Sequence, residues 1–245
     1  MRRSSKTLAF SLFIALYALG LKGQNVERVD PPNWWQGMSL DTLELVISGE
    51  GLGSKVKVDG TKADLVQAVI YEEGRLAHLK LLLKEECQGD LGLHFGKVKV
   101  PFEIKERQTS VRHRLSEADL IYLITPDRFA NGDRSNDSFK DLREHRTDRS
   151  EPYARHGGDL QGVQQHLDHI QSLGASAIWL NPVLENDMVR DSYHGYAITD
   201  HYRVDPRYGS NEGLKELVME MKQRGLKHVA DVVYNHWGVH HHLQH

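Results

Sequence analysis

The chain has 245 residues, a formal net charge of −3 and 27% charged residues. That profile belongs to a soluble globular protein with room for one or two domains, and the near-neutral balance excludes the electrostatic footprint of a nucleic-acid binder. Its 39% hydrophobic residues suffice for packed cores, and its single cysteine, Cys87, excludes an internal disulfide framework.

The first residues differ from the rest. Arg2, Arg3 and Lys6 precede an apolar run from Leu8 to Leu21, with small residues at Ala18, Gly20 and Gly23. This reads as a secretory signal peptide over residues 1–23, cleaved after Gly20 or Gly23. The run falls short of the ~20 residues a spanning helix needs, so no stable membrane anchor is expected. No cysteine stands near either cleavage site to carry a lipid. The expected location is secreted or periplasmic.

Residues 24–108 read as all-β. Leu43, Leu45 and Ile47 alternate with their neighbours, as do Leu79, Leu81 and Leu83. Val98, Val100, Phe102 and Ile104 alternate with Lys97, Lys99, Pro101 and Glu103. That is the period of a half-buried strand. Turn signals separate the runs at Gly49-Glu50-Gly51, Asp59-Gly60, Glu73-Gly74 and Gly89-Asp90. Short strands at this spacing predict a small antiparallel sandwich of the immunoglobulin type. Cys87 reads as a small buried hydrophobe within it.

A polar stretch over 105–116 reads as a linker, and the pattern changes across it. Leu120–Ile124 predicts a buried parallel strand, and Leu160, Val163, Leu167 and Ile170 predict a helix that ends at Gly174. Ala177–Leu180 predicts a second buried strand. Asn211 is positioned to cap a helix holding Leu214, Leu217, Val218 and Met221, with Gly225 at its end, and His228–Val233 predicts a third strand. Strand and helix in alternation mean a parallel α/β sheet. The connections 125–158 and 182–210 are long, and long strand-to-helix loops are where a (β/α)8 barrel keeps its active site. Periodicity alone does not separate a barrel from an open sheet.

Four segments then carry a resemblance. They are Asp127-Arg128-Phe129-Ala130-Asn131-Gly132-Asp133 with Asn136-Asp137; Gly157-Gly158-Asp159-Leu160; Tyr193-His194-Gly195-Tyr196; and Asp231-Val232-Val233-Tyr234-Asn235-His236. In this order and spacing they resemble the α-amylase family, glycoside hydrolase family 13. Pro32-Asn33-Trp34-Trp35-Gln36-Gly37-Met38 resembles the start of the extra N-terminal domain of the neopullulanase and cyclomaltodextrinase group. The resemblance implies an immunoglobulin-like domain over 24–108 and the first three βα units of a (β/α)8 catalytic barrel over 109–245.

Asn131, Asp133, Asn136 and Asp137 put four hard oxygen side chains within seven residues. Calcium takes six to eight such oxygens, but a solvated loop of Asx turns has the same composition, and the residues alone leave both open. The resemblance favours a structural calcium and adds the Gly157 carbonyl and the Asp159 carboxylate. In Tyr193-His194-Gly195-Tyr196, aromatic faces suit the apolar faces of sugars and the imidazole can donate to a hydroxyl. A buried aromatic pair under a loop is the bland alternative. By resemblance Tyr196 stacks under a sugar next to the scissile bond, His194 and His236 hydrogen-bond that sugar, and Asp231 orients neighbouring groups. Asn235 supports a loop and, in some relatives, a second calcium. The histidines His236, His240, His241, His242 and His245 read as a polar loop rather than a zinc or nickel site. Trp34 and Trp35 read as packing residues, with sugar stacking as the alternative.

A retaining glycosidase needs two carboxyl groups about 5 Å apart. In the family these follow strands four and five, so none of the carboxylates here is assigned as nucleophile or acid. The implied parent is a hydrolase of α-1,4-glucans such as maltooligosaccharide, cyclodextrin, pullulan or starch, with no organic cofactor. The resemblance also admits a homodimer through the N-terminal domain. The rivals are a non-catalytic starch-binding module and a membrane-anchored relative that uses the barrel as a partner surface.

Overall fold

The computed structural model describes residues 25–53, 55–85, 87–107 and 114–244, so the expected signal peptide over 1–23 lies outside the described residues. Among the described residues no helix is long and apolar enough to cross a membrane. The chain divides into two compact units, one ending at Gln108 and one beginning at Thr109.

Among the described residues the first unit holds ten strands: β1 (Asn25–Asp30), β2 (Asn33–Trp35), β3 (Thr42–Glu50), β4 (Val56–Lys57), β5 (Ala63–Tyr71), β6 (Leu76–Leu83), β7 (Gly89–Asp90), β8 (Leu93–Phe95), β9 (Val98–Val100) and β10 (Glu103–Lys105). An antiparallel sheet of order β1-β3-β6-β5 faces shorter sheets of order β2-β10-β7 and β4-β8-β9 through one core. The alternation read from the sequence sets that core: Leu43, Leu45, Ile47, Leu79 and Leu81 from the larger sheet are buried with Leu93, Phe95, Val100 and Ile104 from the smaller ones and with Phe102 between β9 and β10. Each such side chain contributes roughly 1.5–3 kcal/mol by leaving water. Cys87 is a free, buried thiol, and burial pushes its pKa up. Trp34 packs against the core while Trp35 is 41% exposed.

Two expectations need correction here. The run 98–104 is not one strand: β9 ends at Val100, β10 begins at Glu103, and the two lie in different sheets. Pro101 between them has no N–H to give a ladder, so the chain changes sheet there while keeping its inward alternation. Gly89-Asp90 is not a turn but the short strand β7, which pairs with β10.

The second unit contains β11 (Ile121–Ile124), α1 (Pro126–Phe129), α2 (Leu160–Gln165), α3 (Leu167–Ser172), β12 (Ala177–Leu180), β13 (Leu184–Glu185), β14 (Asp200–Val204), α4 (Asn211–Gln223) and β15 (Lys227–Ala230). Strands β11, β12 and β15 form a parallel three-stranded sheet in that order, with Leu123, Trp179 and Val229 in register. Ile124, Ile178 and Leu180 pack against Val163, Leu167 and Ile170 and against Leu217 and Met221 of α4. At the N-terminal ends of the strands Asp119 accepts from Lys227 Nζ (2.7 and 2.6 Å), Ser176 Oγ (2.8 Å) and Ser116 N (2.7 Å). Lys227 and Ser176 hold the Asp119 carboxyl well below the usual carboxylate range.

The strands are not buried on both faces as expected. Ile121 is 43%, Leu123 56% and Trp179 38% exposed, because helices cover only one side of the sheet. The three strands do not close. The helix read over 160–173 is two short helices that meet at His166, whose φ of −111° and ψ of 14° leave the helical range. The cap of α4 is Ser210, whose hydroxyl accepts from Gly213 N, rather than Asn211. The Asn211 side chain instead accepts from Val204 N (2.8 Å) and donates to Tyr202 O (2.9 Å), tying α4 to β14.

Candidate functional site

The loops at the C-terminal ends of β12 and β15 bring His194, Tyr196, Asp231 and His236 together. Gly195 makes this possible: its φ is 82°, and a Cβ there would stand 2.1 Å from the Pro182 carbonyl oxygen. Only glycine fits such a left-handed bend against backbone. The bend turns the Tyr196 ring onto His194, with ring centroids 5.8 Å apart and planes at 29°. Tyr196 N donates to His194 Nδ1 at 2.9 Å, so the neutral imidazole carries its proton on Nε2. Burial pulls the His194 pKa down, opposed by Asp191 and Glu144.

Tyr196 Oη donates to Asp231 Oδ2 at 2.9 Å, and Trp179 Nε1 donates to the same oxygen at 3.0 Å. Burial and the Asp231 carboxylate raise the tyrosine pKa. His236 Nε2 lies 3.0 Å from the Tyr196 carbonyl oxygen, and Asn235 Nδ2 lies 3.4 Å from His236 Nδ1. The result is an aromatic face bordered by an imidazole N–H and a carboxylate held by two donors. Such a surface stacks on an apolar ring face and exchanges hydrogen bonds at its edge. Trp179 was missed because an indole inside an apolar strand run reads as core. Its position two residues before Asp231 in register, through Val229, was the available signal.

The polar loop folds around Asp159, which is fully buried. Its carboxylate accepts from Gly132 N (3.1 Å), Asp133 N (2.8 Å), Asn136 Nδ2 (3.3 Å) and Gly162 N (2.6 Å), capping α2 and pinning the loop at once. Asn131 Nδ2 donates to Asp137 Oδ1 at 2.6 Å, and a Cβ on Gly157 would lie 2.7 Å from the same oxygen. Asp133 accepts from Ser135 N (2.9 Å) and Oγ (2.6 Å), an Asx turn. The six expected residues therefore share one loop cluster. Asn131 Oδ1 and Asn136 Oδ1 are buried there with no hydrogen-bond donor. Two orphaned oxygens beside carboxylates fit a hard cation, since an unpartnered buried acceptor is costly.

A buried ionic frame that the sequence reading missed ties the two long loops together. Arg207 makes a two-pronged pair with Asp205, through Nε (2.8 Å) and Nη2 (2.7 Å), and donates to Glu144 O (2.6 Å) and Asn186 O (2.9 Å). Burial alone would raise the Asp205 pKa, but Arg207 holds it down. Arg155, also buried, stands over the Tyr208 ring at 4.7 Å and 3.6 Å from Asp127. Asp127 in turn accepts from His156 N (2.9 Å).

At the chain end, His241 is buried, stacks on Trp237 with centroids 5.0 Å apart, and lies 3.2 Å from His201 Nδ1. Among the described residues no group of three or more His, Cys, Asp or Glu side chains is arranged to hold a metal ion. Asp133, Asp137 and Asp159 of the Asn131 cluster do not by themselves make such a group, so a cation there would also draw on the amide and carbonyl oxygens.

A family model described as "Alpha amylase, catalytic domain" matches residues 123–245, and one described as "Cyclomaltodextrinase, N-terminal" matches residues 28–108. Similar curated proteins include a beta/alpha-amylase of Paenibacillus polymyxa, 40% identical over 48% of this chain and 10% of that protein. A cyclomaltodextrinase of a Bacillus species is 39% identical over 49% of this chain and 20% of that protein. The periplasmic alpha-amylase of Escherichia coli is 36% identical over 48% of this chain and 19% of that protein. The chain thus spans a fifth or less of the length of these relatives. This chain belongs to the α-amylase family, glycoside hydrolase family 13, with a cyclomaltodextrinase-type N-terminal domain ahead of the start of the catalytic domain.

Proposed function

We propose that this chain is the N-terminal part of an exported α-glucan hydrolase of the cyclomaltodextrinase, neopullulanase or α-amylase type, cleaving α-1,4-glucosidic bonds with retention of configuration. The observation that carries the reading is the Tyr196 Oη–Asp231 Oδ2 hydrogen bond of 2.9 Å, made across 35 residues, with His194 stacked on the same ring. Tyr196 supplies the platform under one glucose ring. His194 Nε2–H donates to one of its hydroxyls, His236 borders the same ring while its own N–H is held by the Tyr196 carbonyl, and Asp231 orients Tyr196.

The larger sheet of the first unit and the two shorter sheets that face it are read as an immunoglobulin-like sandwich. The three parallel strands of the second are read as the opening of a (β/α)8 barrel, whose site lies at the C-terminal ends of its strands. The nucleophile and acid/base belong to later strands, so residues 1–245 alone are inactive. A calcium ion held by Asn131, Asp133, Asn136, Asp137, the Gly157 carbonyl and Asp159 would cross-link the loop after β11 to the start of α2. Its support is the pair of donorless buried oxygens on Asn131 and Asn136. The ion supplies structural charge there and takes no part in bond cleavage.

The test is to follow maltoheptaose by proton NMR with the protein carrying its complete catalytic domain. The reading expects the α-anomer of the new reducing end to appear first, and Tyr196→Ala to suppress turnover. Initial release of the β-anomer, or no turnover of any α-glucan, overturns it.

A further inference from the structure

The loop 148–156 spends hydrogen bonds on holding one side chain in water. Tyr153 is 72% exposed. A single exposed tyrosine is ordinary on a protein surface; what separates this one is the hold on both its flanks. Arg128 Nη2 donates to Pro152 O (2.8 Å) and to Ala154 O (2.9 Å), the carbonyls on either side of it. The same guanidinium lies 3.8 Å above the centre of the Tyr193 ring, next to His194. Ala154 N closes a turn onto Glu151 O (3.2 Å), and the His156 ring reaches the same oxygen (3.1 Å). The backbone of Tyr153 is therefore fixed relative to the Tyr193–Tyr196 bend, and its side chain is left largely to solvent.

Tyr153 borders an open cleft of about 530 Å³ with Glu144, Glu151, Ala154, Arg190 and Asp191. That volume lies within the ~300–1,000 Å³ typical of small-molecule sites. The cleft adjoins the Tyr196 site. Asp191, left-handed at φ 58°, leads directly into the turn Ser192–His194, and Glu144 Oε2 accepts from Ser192 N (2.8 Å). Its chemistry is a ring face, three carboxylates that accept hydroxyls and one arginine that donates to them. Mixed charge around an aromatic ring suits an uncharged polyol.

We infer that this cleft is an outer glucosyl-binding site, in which Tyr153 stacks on a glucose ring of the same α-glucan chain whose other end lies on Tyr196 and His194. The site makes binding depend on chain length: short glucans reach Tyr196 alone, longer ones also gain Tyr153. This rests on the proposed glucan reading of the Tyr196 site.

The test uses maltooligosaccharides with sulfur in place of the glycosidic oxygens, so that none is cleaved, at two and at six or more rings, titrated into the protein carrying its complete catalytic domain. Tyr153→Ala is expected to weaken binding of the long probe about ten-fold and that of the short probe less than two-fold, with Tyr153→Phe close to wild type. Tyr196→Ala is expected to weaken both. Equal affinity of wild type and Tyr153→Ala for the long probe, with Tyr196→Ala still weakening both, overturns the outer site and leaves the glucan reading standing. Failure of the wild type to bind either probe overturns the glucan reading and the outer site with it.

Discussion

Tyr196 and Trp179 donate to one and the same oxygen, Oδ2 of Asp231, at 2.9 and 3.0 Å. The two donors come from different segments, so the carboxylate is fixed by both the strand beneath it and the loop beside it. Tyr196→Phe and Trp179→Phe each keep a ring and remove one donor, and each is expected to weaken glucan binding by about 1 kcal/mol. Because the donors share an acceptor, the double variant should lose less than the sum, which a double-mutant cycle by titration calorimetry measures.

Protonation of His194 competes with the Tyr196 N–H for Nδ1. Burial holds the folded pKa of His194 below its ordinary value of 6.5, so the ring stays neutral through neutral pH. A histidine with a lowered folded pKa binds fewer protons folded than unfolded, so the folded state loses stability as pH falls below the unfolded value. Glucan affinity should be flat through neutral pH and fall only on acidification below the lowered folded pKa of His194. A pH series of binding constants checks this. His194→Gln should remove the step that the series assigns to His194.

Asp159→Ala leaves four donors without an acceptor in a buried loop, Gly132 N, Asp133 N, Asn136 Nδ2 and Gly162 N. The expected cost is about 2–4 kcal/mol in the second unit. Calcium should raise the melting temperature of the wild-type protein, a chelator should reverse it, and Asp159→Ala should abolish the response. Calorimetry with and without calcium reads both effects.

Removing one member of the Asp205–Arg207 pair strands the other charge where side-chain exposure is 1% or less. Asp205→Ala or Arg207→Ala is expected to cost about 3–5 kcal/mol. Urea denaturation followed by tryptophan fluorescence checks the size.

In the first unit, Glu72 and Glu73 occupy left-handed φ of 50° and 56° in the turn between β5 and β6. Asparagine tolerates that region better than glutamate, so Glu73→Asn should stabilise the unit by about 0.5 kcal/mol. The midpoint of chemical denaturation gives the sign.

Where one face of an element is buried, its periodicity survived into the structure. Leu43, Leu45 and Ile47 point into the core as the alternation requires, and Leu167, Ile170, Leu217 and Met221 pack under the parallel sheet. The motif residues Tyr196 and Asp231 were found because their types and order carry a resemblance. Asp205, Arg207 and Arg155 were missed because charged residues in a long loop look solvated until tertiary structure pairs them. The break at Pro101 was missed because inward alternation continued across a change of sheet, which pattern alone does not register.

The most direct test of the central claim is to titrate the non-cleavable sulfur-linked maltooligosaccharide into protein with labelled histidines and observe the imidazole signals by NMR. The account predicts saturable shifts at His194 and His236 that are lost in Tyr196→Ala, while His78 in the first unit stays unmoved. Saturable binding that leaves the His194 and His236 signals unchanged, or no binding at all, would contradict it.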